Sequence, residues 1–158
     1  HTGASKLHRD MAVLVDTGCR LDGYPSDMTR CCWFGTPDPE FTRVTAIVES
    51  AVQAALTTVR PGAFARDVDR AARQVIEAAG YGDRFLHRTG HGLGIDIHEA
   101  PYITSTSDSV LQTGNVFSIE PGIYLEGRFG VRHEDIVVLR DHGPETLSTL
   151  PRILPNVT

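Results

Sequence analysis

A mixed α/β domain of the α+β kind is what the 158-residue sequence predicts. Two stretches in the first half carry apolar residues at helical spacing. Short apolar runs with strand character lie before and after them. The links between the later runs are short, which makes those strands antiparallel, because a parallel pair needs a long crossover.

The elements follow in order. "MAVLVDTG" (Met11 to Gly18) is an apolar run closing on Asp16 and a glycine, and predicts a buried strand. "CRLDGY" is turn chemistry, and Ser26 to Gly35 reads as the return strand of a hairpin. A helix follows from Asp38 as N-cap, with Pro39 at its first position and Phe41, Val44, Ile47 or Val48, Ala51 and Ala55 on one face. "RPG" (Arg60 to Gly62) ends it. A second helix is expected over about Ala65 to Ala79, burying Val68, Ala72, Val75 and Ile76 and stopping at Gly80. Beyond Gly82, strands are expected around "GLGIDIH", "NVFSIEPGIYL" and "GVRHEDIVVLR".

Composition narrows the function classes. A net charge of −5 gives no sign of nucleic-acid or anionic-membrane binding. No apolar run approaches the roughly 20 residues of a bilayer span. Cys19, Cys31 and Cys32 are an odd set with two adjacent, which fits neither a disulfide framework nor a zinc ladder; they read as thiols of a reducing, cytoplasmic compartment. The polar opening "HTGASKLHRD" has no signal-like apolar stretch, and its abruptness suggests a start inside a larger protein.

The chemistry sits in a few charged positions. Asp16 and Asp27 stand 11 residues apart across the predicted hairpin, where residues on one face come side by side. Two bare carboxylates there would repel, so a cation between them is one reading; two solvated strand-end aspartates are the other. Glu120, in "VFSIEPGIY", lies in an apolar strand just before a Pro-Gly break, and Glu134, in "GVRHEDIVVL", lies in the next. Buried glutamates need a partner or a metal. Arg132, two residues before Glu134, offers a plain salt bridge to Glu120 or Glu134 as the alternative. His91 is flanked by Gly90, Gly92 and Gly94, which leaves room for a metal or substrate; the string lacks the last glycine of a dinucleotide loop and no P-loop lysine follows. Four carboxylates and one imidazole suit divalent manganese, cobalt, iron or zinc. Two such ions about 3.5–4 Å apart can share a hydroxide and polarise an amide carbonyl.

"VDTGCRLDGYPSDMTR", "HRTGHGLGIDIHEAP", "FSIEPGIYLEG" and "GVRHEDIVVL" resemble, in order and spacing, the signature blocks of the pita-bread metallopeptidases: prolidases, aminopeptidase P and methionine aminopeptidases. The resemblance implies a curved, largely antiparallel sheet with helices on its outer face. It also implies that residues 1–158 are a single, N-terminally incomplete catalytic domain, and that the full-length parent is a homodimer. Carried over by position, it implies dinuclear ligands at Asp16, Asp27, His91, Glu120 and Glu134, with Asp27 and Glu134 bridging and Glu120 also the general base. Manganese is the expected metal, with cobalt, zinc or iron possible. His98 resembles the transition-state histidine, His87 the additional substrate histidine of proline-specific members, and His1 a third active-site histidine. Arg132 points to the prolidase and aminopeptidase P branch. The implied activity is hydrolysis of Xaa-Pro bonds in dipeptides or short peptides by a hydroxide bridging two divalent metals. Aminopeptidase P-type release of an N-terminal residue before proline and a non-catalytic binding module of the same fold are the alternatives, with a creatinase-like enzyme weaker. His133 stands where the family has an apolar residue, and is expected to point away from Glu134.

Overall fold

The computed structural model describes Ala4 and residues 6–157, so His1 lies outside the described residues. A hairpin opens the chain: β1 (Met11–Thr17) pairs antiparallel with β4 (Met28–Phe34), and β2 (Arg20–Leu21) with β3 (Tyr24–Pro25) extends it to a tip. Asp22 and Gly23 turn that tip with φ of 50° and 90°, the left-handed pair that a two-residue hairpin turn requires.

Helices α1 (Pro39–Thr58) and α2 (Ala65–Ala78) follow within a residue or two of their predicted bounds. The Asp38 side chain accepts from the Glu40 N–H at 2.8 Å, and Pro39 takes the first turn, where a missing N–H costs nothing. Phe41, Val44, Val48, Ala51 and Ala55 of α1, with Val68, Ala72 and Ile76 of α2, form the buried stripe in which the two helices meet. Gly80, at φ 86°, ends the second.

The second half is one five-stranded antiparallel sheet in the order β11-β10-β7-β5-β6. It comprises β5 (Gly90–Gly92), β6 (Glu99–Ile103), β7 (Val116–Ile119), β10 (Asp135–Arg140) and β11 (Gly143–Thr146). The side ribbon β8 (Gly122–Leu125) with β9 (Phe129–Arg132) packs under α1 through Trp33, Phe41 and Phe129, whose ring centroids lie 5.0–6.0 Å apart. The hairpin joins the sheet where the Glu134 N–H donates to the Thr29 carbonyl at 3.1 Å. Two expected strands are therefore broken, one at Glu120-Pro121 and one at His133-Glu134, each beside an acidic residue singled out from the sequence.

The strand expected around "GLGIDIH" is a correction. Only Gly90–Gly92 is strand; Leu93 to His98 is a loop that leaves Ile95 and Ile97 exposed. Its backbone is pinned locally, with the Gly94 N–H on the Asp96 carbonyl and the Asp96 N–H on the Glu99 carboxylate. That leaves little of the loop's backbone for a sheet ladder. Among the described residues no helix is long and apolar enough to cross a membrane.

Candidate metal centre

Five chain segments deliver the singled-out residues to one place. The end of β1 brings Asp16, the hairpin's return Asp27, and β5 His91. The two strand breaks bring Glu120 and Glu134. In a regular strand, successive side chains alternate faces. The proline after Glu120 lacks a ladder N–H, and β7 ends at Ile119, just before that side chain.

Ligand atoms of His91, Glu120 and Glu134 all lie within 4.8 Å of one another, as do those of Asp16, Asp27 and Glu134, and those of Asp27, His91 and His98. Each group could hold a metal ion. Glu134 belongs to both carboxylate-rich groups, and Asp27 to two of the three. The chemistry of the donors fits divalent metal. His91 Nδ1 lies 3.0 Å from the Gly92 carbonyl; donation there turns Nε2 toward Glu120 Oε1 (3.2 Å) and Asp27 Oδ2 (3.9 Å), where it donates to Glu120 when protonated and offers its lone pair to a metal once deprotonated.

The electrostatics are those of a cluster short of positive charge. Burial, followed by repulsion from Glu120, pushes the Glu134 carboxyl up to about 8. Burial and then the Asp16 charge raise Asp27. Burial also opposes ionisation of Glu120, yet its hydrogen bond and charge contact with His91 outweigh this and bring it down. The same bond raises His91 against its own desolvation. Without an ion, the cluster keeps its charge low by holding protons.

Several neighbours that the sequence reading did not single out hold these groups. Ser118 donates from Oγ to Glu120 Oε1 at 3.0 Å while accepting the His91 N–H. Thr29 donates to Glu134 Oε2 at 2.6 Å. Tyr124 stands between His87 Nε2 (2.7 Å) and Arg132 Nη1 (3.0 Å). Each lies inside a quoted motif block, but only the fold turns it toward the cluster.

Three expectations need correction. Asp16 and Asp27 share a face but are not directly opposed: the register sets Asp16 against Thr29, so the two aspartates are diagonal neighbours. Arg132 pairs with neither Glu120 nor Glu134. It reaches over Thr29 Oγ1 (3.1 Å) to Asp16 Oδ2 at 2.5 Å, because β9 ends there and its side chain crosses to the hairpin. The bare backbone around His91 serves the neighbouring strands. A Cβ on Gly90 would sit 1.9 Å from the Ser118 carbonyl oxygen, and one on Gly92 2.3 Å from that of Ala100.

The two remaining histidines differ. His98 is exposed and meets His91 edge to face with centroids 4.2 Å apart, so it faces the same cavity. His87 is lowered by burial and has both nitrogens engaged. Nδ1 lies on the Arg88 carbonyl at 2.7 Å, which makes Nε2 the acceptor and the Tyr124 hydroxyl the donor. His133 turns away from the cluster as expected, buried against Glu49 of α1 with Nδ1 3.3 Å from its carboxylate.

Against known proteins, residues 1–141 match the family described as metallopeptidase family M24. This chain belongs to metallopeptidase family M24. It is 43% identical over 157 residues to the "Probable dipeptidase PepE" of Mycobacterium tuberculosis, covering 98% of this chain and 42% of that protein. Among solved structures, it superposes on a prolidase from Thermococcus sibiricus with a TM-score of 0.96 at 44% identity, over 99% of this chain and 43% of that one. An X-Pro aminopeptidase from Thermotoga maritima gives 0.92 at 41%, over 96% and 43%. The fold of this M24 chain is thus the pita-bread arrangement, and the chain spans less than half the length of these relatives.

Proposed function

We propose that this M24 chain is the catalytic part of a cytoplasmic, homodimeric Xaa-Pro dipeptidase, with Asp16, Asp27, His91, Glu120 and Glu134 as ligands of two divalent ions. The observation that carries the reading is the overlap of the three donor groups through Glu134 and Asp27, which suits a pair of ions held by shared carboxylates. Oxygen-rich donors favour manganese, with cobalt, zinc or iron accepted. When bound, such ions polarise the scissile carbonyl and lower the pKa of water.

The protein's own groups do the rest. Glu120, oriented by Ser118, takes the proton of the attacking water and returns it to the leaving proline nitrogen. His98, exposed on the cavity, donates to the oxyanion of the tetrahedral state. Arg132 orients Asp16 and, through Tyr124, His87.

Release of an N-terminal residue from longer peptides is the second reading, supported by the similarity to an X-Pro aminopeptidase. One experiment separates the readings: metal analysis with assays on Xaa-Pro dipeptides and on longer Xaa-Pro peptides, run on this chain and on its natural full-length product. Bound metal with dipeptide turnover is the expected result. Turnover of longer peptides alone supports the aminopeptidase. Failure to take up manganese, cobalt or zinc at millimolar concentration and high pH supports a non-catalytic binding module.

A further inference from the structure

Arg30, on β4, is a buried cation that takes no part in the chemistry described above. Its neighbour Thr29 faces the donor cluster, so the Arg30 side chain takes the opposite face of the hairpin. There each N–H of the guanidinium meets one acceptor, five in all. Nε donates to the Pro151 carbonyl (3.0 Å), Nη1 to the carbonyls of Thr29 (2.9 Å) and Glu134 (2.6 Å), and Nη2 to the Asp135 carboxylate (2.6 Å) and the Leu150 carbonyl (2.7 Å). Asp135 also accepts from Arg152 at 2.7 Å, and Arg152 in turn holds Glu49 of α1.

Two of those acceptors bear on the metal centre. The hairpin meets the sheet at Thr29 and Glu134: the Glu134 N–H donates to the Thr29 carbonyl, and Thr29 Oγ1 donates to Glu134 Oε2. Glu134 supplies a ligand atom to both carboxylate-rich donor groups, so its place relative to Asp16 and Asp27 sets the room for two ions. Arg30 Nη1 spans that junction by bonding both carbonyls at once. Stability alone does not call for such a group, because a buried ion pair is often no better than apolar packing of the same volume. A planar fork with every donor used fixes direction instead, as partners lying beyond the ligands do in metal sites. We propose that Arg30 is a positioning residue that fixes Glu134 against the hairpin aspartates, and so sets the spacing of the two ions they share. The inference rests on the two-ion reading and deepens it by assigning the alignment of the site to a residue that touches neither ion nor substrate.

The test titrates manganese into the natural full-length product by calorimetry, with the exchange-coupled resonance of a manganese pair as a second readout. Wild type, Arg30→Lys and Arg152→Lys are compared. Lysine keeps the charge but brings three donors where the guanidinium has five. Arg152→Lys removes a fork from the same charge network, and Arg152 bonds to neither carbonyl of the junction. Both variants should melt below the wild type. Arg30→Lys alone should weaken manganese binding by about 10- to 100-fold, and alter the coupled resonance at saturating metal. Wild-type affinity with an unaltered resonance in Arg30→Lys would overturn the proposal. So would losses of affinity in both variants that simply follow their losses of melting temperature. Hydrogen exchange of the wild type supplies a check without any variant: the Glu134 amide should already be protected in the absence of manganese. Protection that arises only on metal binding would mean that the ions, not Arg30, set the junction. A wild type that forms no manganese pair would remove the two-ion reading and this inference with it, whereas a pair kept unchanged in Arg30→Lys removes the role of Arg30 alone.

Discussion

The donor cluster has two halves built in different ways. His91, Glu120 and Glu134 come from the central sheet. His91 and Glu134 are buried, and all three are tied to fixed groups: the Gly92 carbonyl, Ser118 and Thr29. Asp16 and Asp27 come from the two-stranded hairpin. The Asp16 side chain is 51% exposed, and the hydrogen bond that holds it comes from Arg132. The sheet half is held by groups of the sheet and, at Glu134, by Thr29 reaching across from the hairpin. In the hairpin half, one guanidinium aims Asp16, while Asp27 lies against His91.

The contrast can be broken most forcefully at Glu120. Glu120→Gln should lower turnover by about 10²–10⁴-fold, the range for losing a general base, with circular dichroism and melting close to the wild type. Near-normal turnover would remove Glu120 from the chemistry. Next comes His98, which belongs to neither half. His98→Ala should reduce kcat by roughly 10²-fold, as for a lost oxyanion donor, with far less change in bound metal. A proportional loss of metal would make His98 a ligand instead, an outcome its place beside Asp27 and His91 leaves geometrically open.

Stability should divide along the same line. Gly92→Ala drives a methyl group into the Ala100 carbonyl, 2.3 Å away, and is expected to cost about 1–3 kcal/mol in urea unfolding. Gly23→Ala at the hairpin's tip meets open space and bears only its left-handed backbone, at about 1 kcal/mol. A larger loss at Gly23 would mean that the hairpin, not the sheet, is the rigid partner.

The smallest effect is a proton count. Glu134, held at about 8 in the metal-free protein against an ordinary 4.5, binds more protons folded than unfolded between those values. Its contribution to metal-free stability is therefore complete below its unfolded pKa and is lost as pH rises through its folded one. Asp27, also raised, acts in the same sense; Glu120, lowered, acts oppositely, its contribution being present above its unfolded pKa and lost as pH falls. A divalent ion needs Glu134 ionised and His91 Nε2 deprotonated, so metal binding at pH 7 should release at least about one proton and tighten with pH. Calorimetric titrations in buffers of different ionisation enthalpy measure this, and no release would mean that the sheet half is already charged without metal.

Much of this was legible in the sequence because it is local. The helix stripes, the Asp38 cap and the Asp22-Gly23 turn are short-range signals, and each fixes its own segment. The acidic residues stood out because charge inside an apolar strand is costly. What depends on register between distant strands was not legible. The diagonal offset of Asp16 from Asp27 follows from which residues the tip pairs, and the choice of Asp16 over either glutamate by Arg132 follows from where β9 stops. Thr29, Ser118 and Tyr124 are ordinary residues of strands until neighbouring strands place an acceptor beside each hydroxyl. The glycines around His91 misled for a related reason: the space beside Gly90 is filled by the Ser118 backbone, 28 residues away, which no local window contains. β11 carries too weak an alternation in "GPET" to be read as a strand, and forms because β10 offers it an edge.

Anomalous diffraction at the manganese edge from crystals grown with the metal puts the central idea at greatest risk. Two peaks roughly 3.5–4 Å apart, enclosed by Asp16, Asp27, His91, Glu120 and Glu134, are the expected result. Manganese bound elsewhere, or no peak among those five side chains at saturating metal, would contradict it.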